Sequence, residues 1–185
     1  MSDVLRLTLV SHAMTDALAA GRFPADEPLN ELGRRQPRNL EMRSSTTQLV
    51  APELRTRQTA ELLGLRAVVD SRLAELDFGC WRGLALAGVA PAELARWLAD
   101  PNAAPHGGES IIDLTARAAG WLSVLADQAT TGDAAPVVAV THPAMIRAIV
   151  LVALDAPPKS FWRIDVAPVS RMLLHFRASG WTLRL

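Results

Sequence analysis

Apolar and polar positions along the chain alternate in a way that separates strands from helices. Val4-Leu5-Arg6-Leu7-Thr8-Leu9-Val10 is apolar enough for a strand in the middle of a sheet. Positions 46–51 and the short run 67–69 read as further strands, as does 137–140. Between them the period changes. A helix is predicted over 32–43, with Asn30 as N-cap and Pro37 as a kink. Pro52 opens a helix over 53–63, and a short helix covers 91–99. Ser110 caps a longer helix, with Asp113 at the capping-box position. Its Ile111, Leu114, Ala118, Trp121, Leu122 and Leu125 recur at helical spacing and form a core stripe. A helix over 144–154 follows the 137–140 strand. Two last strands, 171–176 and 181–185, flank Ser179-Gly180 and make a hairpin.

Strands separated by helices imply an α/β three-layer sandwich. Its central sheet is mostly parallel, with helices on both faces and an antiparallel C-terminal edge. The patches at 99–105 and 130–136 read as surface connections, so residues 1–185 are expected to form one domain.

Composition narrows the chemistry. Of 185 residues, 19 are basic and 19 acidic, which removes any general attraction to nucleic acid or anionic membranes. The longest apolar stretch, 148–154, is far below the ~20 residues that span a bilayer. No secretory signal is legible at Met1 to Val10, so a soluble, cytoplasmic protein is expected. Cys80 is alone, which excludes an intrachain disulfide and a zinc ribbon of paired cysteines. There is no tyrosine, a single lysine (Lys159) and no G-x-x-x-x-G-K-[ST] loop. Histidine, carboxylate and arginine must therefore carry any catalysis.

Open α/β sheets bind ligands at the carboxyl ends of their strands. The residues just past the apolar runs are Ser11-His12, Pro52-Glu53-Leu54-Arg55 and Thr141-His142. Two imidazoles and a guanidinium beside helix starts suit a phosphoryl group. Glu75 is the best candidate for the acid that protonates a leaving oxygen.

These segments resemble the histidine phosphatase superfamily, the phosphoglycerate mutase-like enzymes. Residues 7–15 (LTLVSHAMT) are similar to its opening L-x-L-V-R-H-G-x-T, and residues 26–36 (DEPLNELGRRQ) to D-x-P-L-T-x-x-G-x-x-Q. Residues 51–60 (APELRTRQTA) are similar to S-P-L-x-R-A-x-Q-T-A, and residues 73–83 (LAELDFGCWRG) to L-x-E-x-D-F-G-x-W-E-G. Gly107-Gly108-Glu109-Ser110 matches G-G-E-S, and Val138-Ala139-Val140-Thr141-His142 matches V-x-V-x-H. The motifs occur in the family's order along nearly the whole chain.

The resemblance implies a small phosphatase that hydrolyses a small-molecule phosphate monoester and releases inorganic phosphate. His12 stands at the nucleophile that becomes phosphorylated, and Glu75 at the general acid/base. His142 stands at the second active-site histidine and Arg55 at a phosphate-binding arginine. Thr15 belongs to the first motif and is expected at the phosphate, while Glu109 and Trp81 are expected to line the substrate pocket. A cap-like insertion covers about 76–109. No metal or other cofactor is expected, and no oligomeric state follows.

Three positions depart from the pattern, with Ser11 for arginine, Ala13 for glycine and Leu18 for asparagine. Ser11 can offer the phosphate one hydrogen bond but no charge. Arg22, in Gly21-Arg22-Phe23-Pro24, is expected to replace that charge. Arg147 is a second possibility, expected instead to pair with a carboxylate. The alternative is an impaired pseudophosphatase that binds a phosphorylated ligand or a protein partner. Elsewhere, His106 reads as an exposed loop residue, His175 as a strand residue, Cys80 as part of a packed cap and Lys159 as surface.

Overall fold

The computed structural model describes residues 4–37, 46–131, 135–177 and 180–184. Strand β1 (Leu5–Ser11) pairs in parallel with β4 (Val137–Thr141), which pairs in parallel with β2 (Thr47–Val50). The short β3 (Val68–Val69) extends the sheet beyond β2. On the other side β5 (Arg171–Arg177) runs antiparallel to β1, and β6 (Gly180–Arg184) is antiparallel to β5. The six-stranded order is β3-β2-β4-β1-β5-β6. The mostly parallel sheet with an antiparallel C-terminal edge is the one expected from the sequence.

All five residues of β4 are buried, as a central strand covered on both faces requires. Leu5, Leu7 and Leu9 of β1 face one layer, made by α5 (Ile111–Thr130) and α6 (Pro143–Ala153). The six buried residues of α5 are the six of its apolar stripe, and the Ser110–Asp113 capping box forms in both directions. Val10, Val50, Val138 and Val140 face the opposite layer, where Ala60 and Leu63 follow from α3 (Leu54–Leu62).

Several boundaries differ from the sequence reading. Pro52 lies before α3, whose N-cap is Glu53. Asn30 does cap the next helix, accepting from Gly33 N, but α2 (Glu31–Arg35) ends before Pro37. The rest of the expected helix, 38–43, lies outside the described residues, as does Ser179 of the hairpin. The sequence pattern does not show α1 (Asp16–Ala19), capped by Thr15, or the 3₁₀ segments Ser71–Leu73, Gly79–Trp81, Leu86–Gly88 and Pro158–Arg163. The helix α4 (Pro91–Ala99) has the expected bounds. Among the described residues no helix is long and apolar enough to cross a membrane.

Two loops that carry chemistry are locked by close backbone crossings. A Cβ on Gly108 would lie 2.0 Å from the Asp77 carbonyl oxygen, and one on Gly79 (φ +46°) 2.0 Å from that of His106. Cys80 N donates to His106 O and Glu109 N to Asp77 O across the same crossing. The glycines are there because nothing larger lets these strands of backbone touch.

Candidate active site

Register places the two histidines together. Ser11 of β1 lies opposite Thr141 of β4, so the residues that follow, His12 and His142, leave the sheet side by side. Their ring centroids are 5.3 Å apart. Arg55 enters from the first turn of α3, next to them because β2 neighbours β4. Glu75 arrives on the segment after Leu73, whose carbonyl accepts from Thr141 Oγ1.

The motif side chains around these residues act on backbone. Thr59 Oγ1 accepts from Ala13 N, Gln36 Oε1 from Met14 N and Gln58 Oε1 from Leu29 N. The loop after β1 would otherwise bury those N–H groups unpaired, at a cost of about 1–3 kcal/mol each.

His12 is 5% exposed, and its Nδ1–H donates to the Ala13 carbonyl at 2.8 Å. That bond fixes the tautomer and leaves a lone pair on Nε2. Burial lowers its pKa to about 4, aided by the charges of His142 and Arg55. His12 is thus neutral at pH 7. Burial also acts to lower the pKa of His142, but the negative charge of Glu75 and the hydrogen bond to Glu53 outweigh it and raise the value. Its Nε2 lies 2.7 Å from Glu53 Oε2, and its Nδ1 lies 3.1 Å from Glu75 Oε2 without the alignment of a hydrogen bond. One histidine is held neutral, and its neighbour is biased toward the protonated form.

Arg55 is 1% exposed and places Nη2 3.1 Å from Glu75 Oε2. Its Nε and Nη1 are buried without a partner among the described residues. Two guanidinium donors left open in a buried site make a cradle for an anion. Burial would push Glu75 upward, yet His142 and Arg55 hold it ionised, well below the usual carboxylate range. One donor atom each of His12, Glu75 and His142 fall within 4.8 Å of one another, a spacing that three metal ligands could have. The Arg55 guanidinium on the same Glu75 oxygen opposes a divalent ion there and favours an anion.

A cavity of about 140 Å³ is lined by His12, Thr15, Arg22, Arg55, Glu75 and Arg147, among others. Of the sequence-derived site residues, His12, Glu75, His142, Arg55, Thr15 and Arg22 gather there or directly behind it. The remaining three do not. Ser11 is fully buried and its hydroxyl donates to Ala167 O, anchoring β1 to the turn before β5 instead of facing the cavity. Glu109 accepts two hydrogen bonds from Arg117, at 2.9 and 2.7 Å, so it braces a guanidinium instead of lining the cavity. Arg117 in turn donates to the carbonyls of Arg72, Ala74 and Glu75 and fixes the loop that carries Glu75. Trp81 is buried behind the cavity wall, packed against Phe23, Trp97 and His106.

Other residues also depart from their expected settings. His106 is buried, not exposed, because its Nδ1 accepts from Gly108 N and its ring packs on Trp81. Cys80 is exposed, not packed. Arg147 donates to the Ile164 carbonyl and stacks over Phe161 and Trp162, with no carboxylate in ion-pair range among the described residues. Two acidic residues outside the sequence-derived set also belong to the site. Glu53 joins His142 to the Glu75 backbone, accepting from Glu75 N at 2.9 Å. Glu27 lines the cavity; burial would raise its pKa, but the Ala25 N–H and the Arg55 charge lower it. Glu53 had a sequence signal, a carboxylate directly past the second strand.

The family model for the histidine phosphatase superfamily (branch 1) matches residues 7–185. Over 190 residues the chain is 32% identical to the bifunctional protein Rv2228c of Mycobacterium tuberculosis, covering 95% of this chain and 51% of that protein. The chain therefore spans about half the length of that relative. It is 33% identical over 171 residues to the glucosyl-3-phosphoglycerate phosphatase of Mycolicibacterium vanbaalenii, covering 83% of this chain and 76% of the relative. Among solved structures, the mycobacterial glucosyl-3-phosphoglycerate phosphatase Rv2419c with VO3 superposes with a TM-score of 0.78 at 28% identity, over 98% of each chain.

Proposed function

The chain belongs to the histidine phosphatase superfamily, and from that premise we propose that it hydrolyses a small-molecule phosphate monoester through a phosphohistidine on His12. The observation that carries this reading is the pairing of a neutral, tautomer-fixed His12 with the open Nε and Nη1 donors of Arg55 in one buried site. The relatives named as phosphatases support the reaction class.

The Nε2 lone pair of His12 attacks phosphorus as the bond to the leaving oxygen breaks. Arg55 and cationic His142 hold the equatorial oxygens, where negative charge is spread in the transition state. The free N–H groups at the start of α6 favour the same anion. Glu75 gives a proton to the leaving oxygen and then takes one from the water that cleaves the P–N bond, which regenerates His12 and frees inorganic phosphate. Glu75 is ionised while Arg55 and His142 serve it alone. An arriving phosphoryl group shares those cations and adds negative charge, and both effects raise the Glu75 pKa toward the protonated form the first step uses. Glu53 is a positioning residue that keeps His142 cationic. Arg22 on the cavity wall supplies a positive charge that Ser11 does not. The step uses no metal ion. Residues 1–185 act as one domain in which the 76–109 segment forms a cap, with Phe78 of that segment on the cavity wall.

Rapid-quench mixing with a ³²P-labelled monoester tests the reading. Acid-labile, base-stable label is expected on the wild type and none on His12→Ala. Turnover with no trapped label, or label that persists in His12→Ala, would remove His12 as the nucleophile. The pseudophosphatase reading has one observation in its favour, the diversion of the Ser11 hydroxyl to Ala167 O. It requires phosphate binding with neither label nor turnover.

A further inference from the structure

Beside the phosphoryl cavity lies a larger, almost wholly apolar trough of about 500 Å³. Phe23, Phe78, Leu86, Trp97, Leu98 and Trp162 form its walls. It is continuous with the phosphoryl cavity, because Leu18, Arg22, Pro24, Phe78, Ala144 and Arg147 line both. The two arginines stand at the seam. Arg147 is fixed there by Ile164 O and by the rings of Phe161 and Trp162, 5.7 and 5.8 Å from its guanidinium carbon. Leu86 and Leu98 are 44% and 47% exposed, so the trough presents bare hydrocarbon to solvent.

On the premise that the chain hydrolyses phosphate monoesters, we infer that the leaving group of its substrate is apolar, an alkyl or aryl body that lies in this trough while the phosphoryl group sits between His12 and Arg55. Three features carry the inference. The trough shares six lining residues with the phosphoryl cavity, so a ligand can occupy both at once. Its volume is within the range of small-ligand pockets, and a serine- or glycerate-sized leaving group would leave most of it unfilled. Its walls carry almost no group able to pair with a hydroxyl, so a polyhydroxylated leaving group would be stripped of water there without replacement. Cations confined to the seam suit an amphiphile with one anionic end.

Binding of a homologous series of alkylphosphonates, ethyl to octyl, measured by titration calorimetry, isolates the trough from the chemistry. These compounds keep one headgroup and cannot be turned over by P–O cleavage. A fully buried methylene strengthens binding about fourfold, so half-burial of the six added carbons predicts a gain on the order of sixtyfold. Leu98→Glu, at an exposed position of α4, is expected to reduce the octyl-to-ethyl ratio to near one. Equal affinity across the series in the wild-type protein overturns the inference, whether or not the protein turns over monoesters. A Leu98→Glu effect on sedimentation in place of the ratio would also overturn it, and would assign the trough to a second copy of the chain. The ³²P labelling reads the phosphatase separately, so a failed trough and a failed phosphatase are distinguishable.

Discussion

Glu75 contributes most to the charge on His142, and Glu53 adds to it through a direct hydrogen bond. Glu53 stands as the backbone N-cap of α3, yet its carboxylate makes no capping bond and goes to His142 and the Glu75 N–H. Replacing it by glutamine keeps the shape and removes the charge. The His142 pKa is then expected to fall. If cationic His142 binds the phosphoryl group, kcat/KM declines as pH rises through that value, so the alkaline limb of Glu53→Gln moves toward neutral pH. The acid limb reports His12, which must be neutral to attack. It is expected near pH 4 in both proteins, well below the ~6.5 of a free imidazole. A pH–rate profile of the two proteins checks both limbs. An unmoved alkaline limb would mean that Glu53 is structural. At this scale the sequence was informative where residue type and edge position coincide, as for His12, Arg55 and His142. It was silent on direction. Ser11 has the right position but its hydroxyl is used by Ala167, 156 residues away, and Glu109 is used by Arg117, eight residues on inside α5; neither pairing follows from strand or helix periodicity.

Elements were legible wherever local pattern and burial agree. The α5 stripe and its capping box are complete in the sequence, and the buried β4 reads as a continuous apolar run. Pro37 was read as a kink, but α2 stops two residues before it, at Arg35. The aromatic cluster was not legible as a cluster, since Phe23, Phe78, Trp97 and His106 come from separate segments. Two substitutions separate local from tertiary stabilisation. Ser110→Ala removes the cap of α5 and is expected to cost about 1 kcal/mol. Gly108→Ala drives a methyl against the Asp77 carbonyl, and because backbone cannot swing aside the cost falls toward the upper end of roughly 1–3 kcal/mol for overpacking. Urea denaturation measures both. Gly108→Ala should also lower kcat, because the displaced segment carries Glu75, whereas Ser110→Ala should lower stability with little effect on rate.

Across the whole molecule the phosphoryl site is a junction. β1, α3, the Glu75 loop and the start of α6 each contribute to it, and none is close to another in sequence. An unfolded chain cannot assemble Arg55, His142 and His12, so an anion that binds there binds the folded state alone and must stabilise it globally. With inorganic phosphate at a hundred times its Kd the gain is about 2.7 kcal/mol. For a domain of this size that corresponds to a rise in Tm of roughly 5–10 °C. Calorimetric scans with and without phosphate measure it. Arg55→Ala should abolish the rise even if its own Tm is lower, because the shift is read against the same protein without phosphate. The pH dependence has a definite sign. On the protein's side, His142, whose pKa is raised by Glu75 and Glu53 against its burial, loses its proton as pH increases. The phosphate-induced rise in Tm should therefore shrink with increasing alkalinity, and in Glu53→Gln it should begin to shrink at lower pH. A rise that held constant through that range would mean that Arg55 and the α6 N–H groups hold the anion without His142.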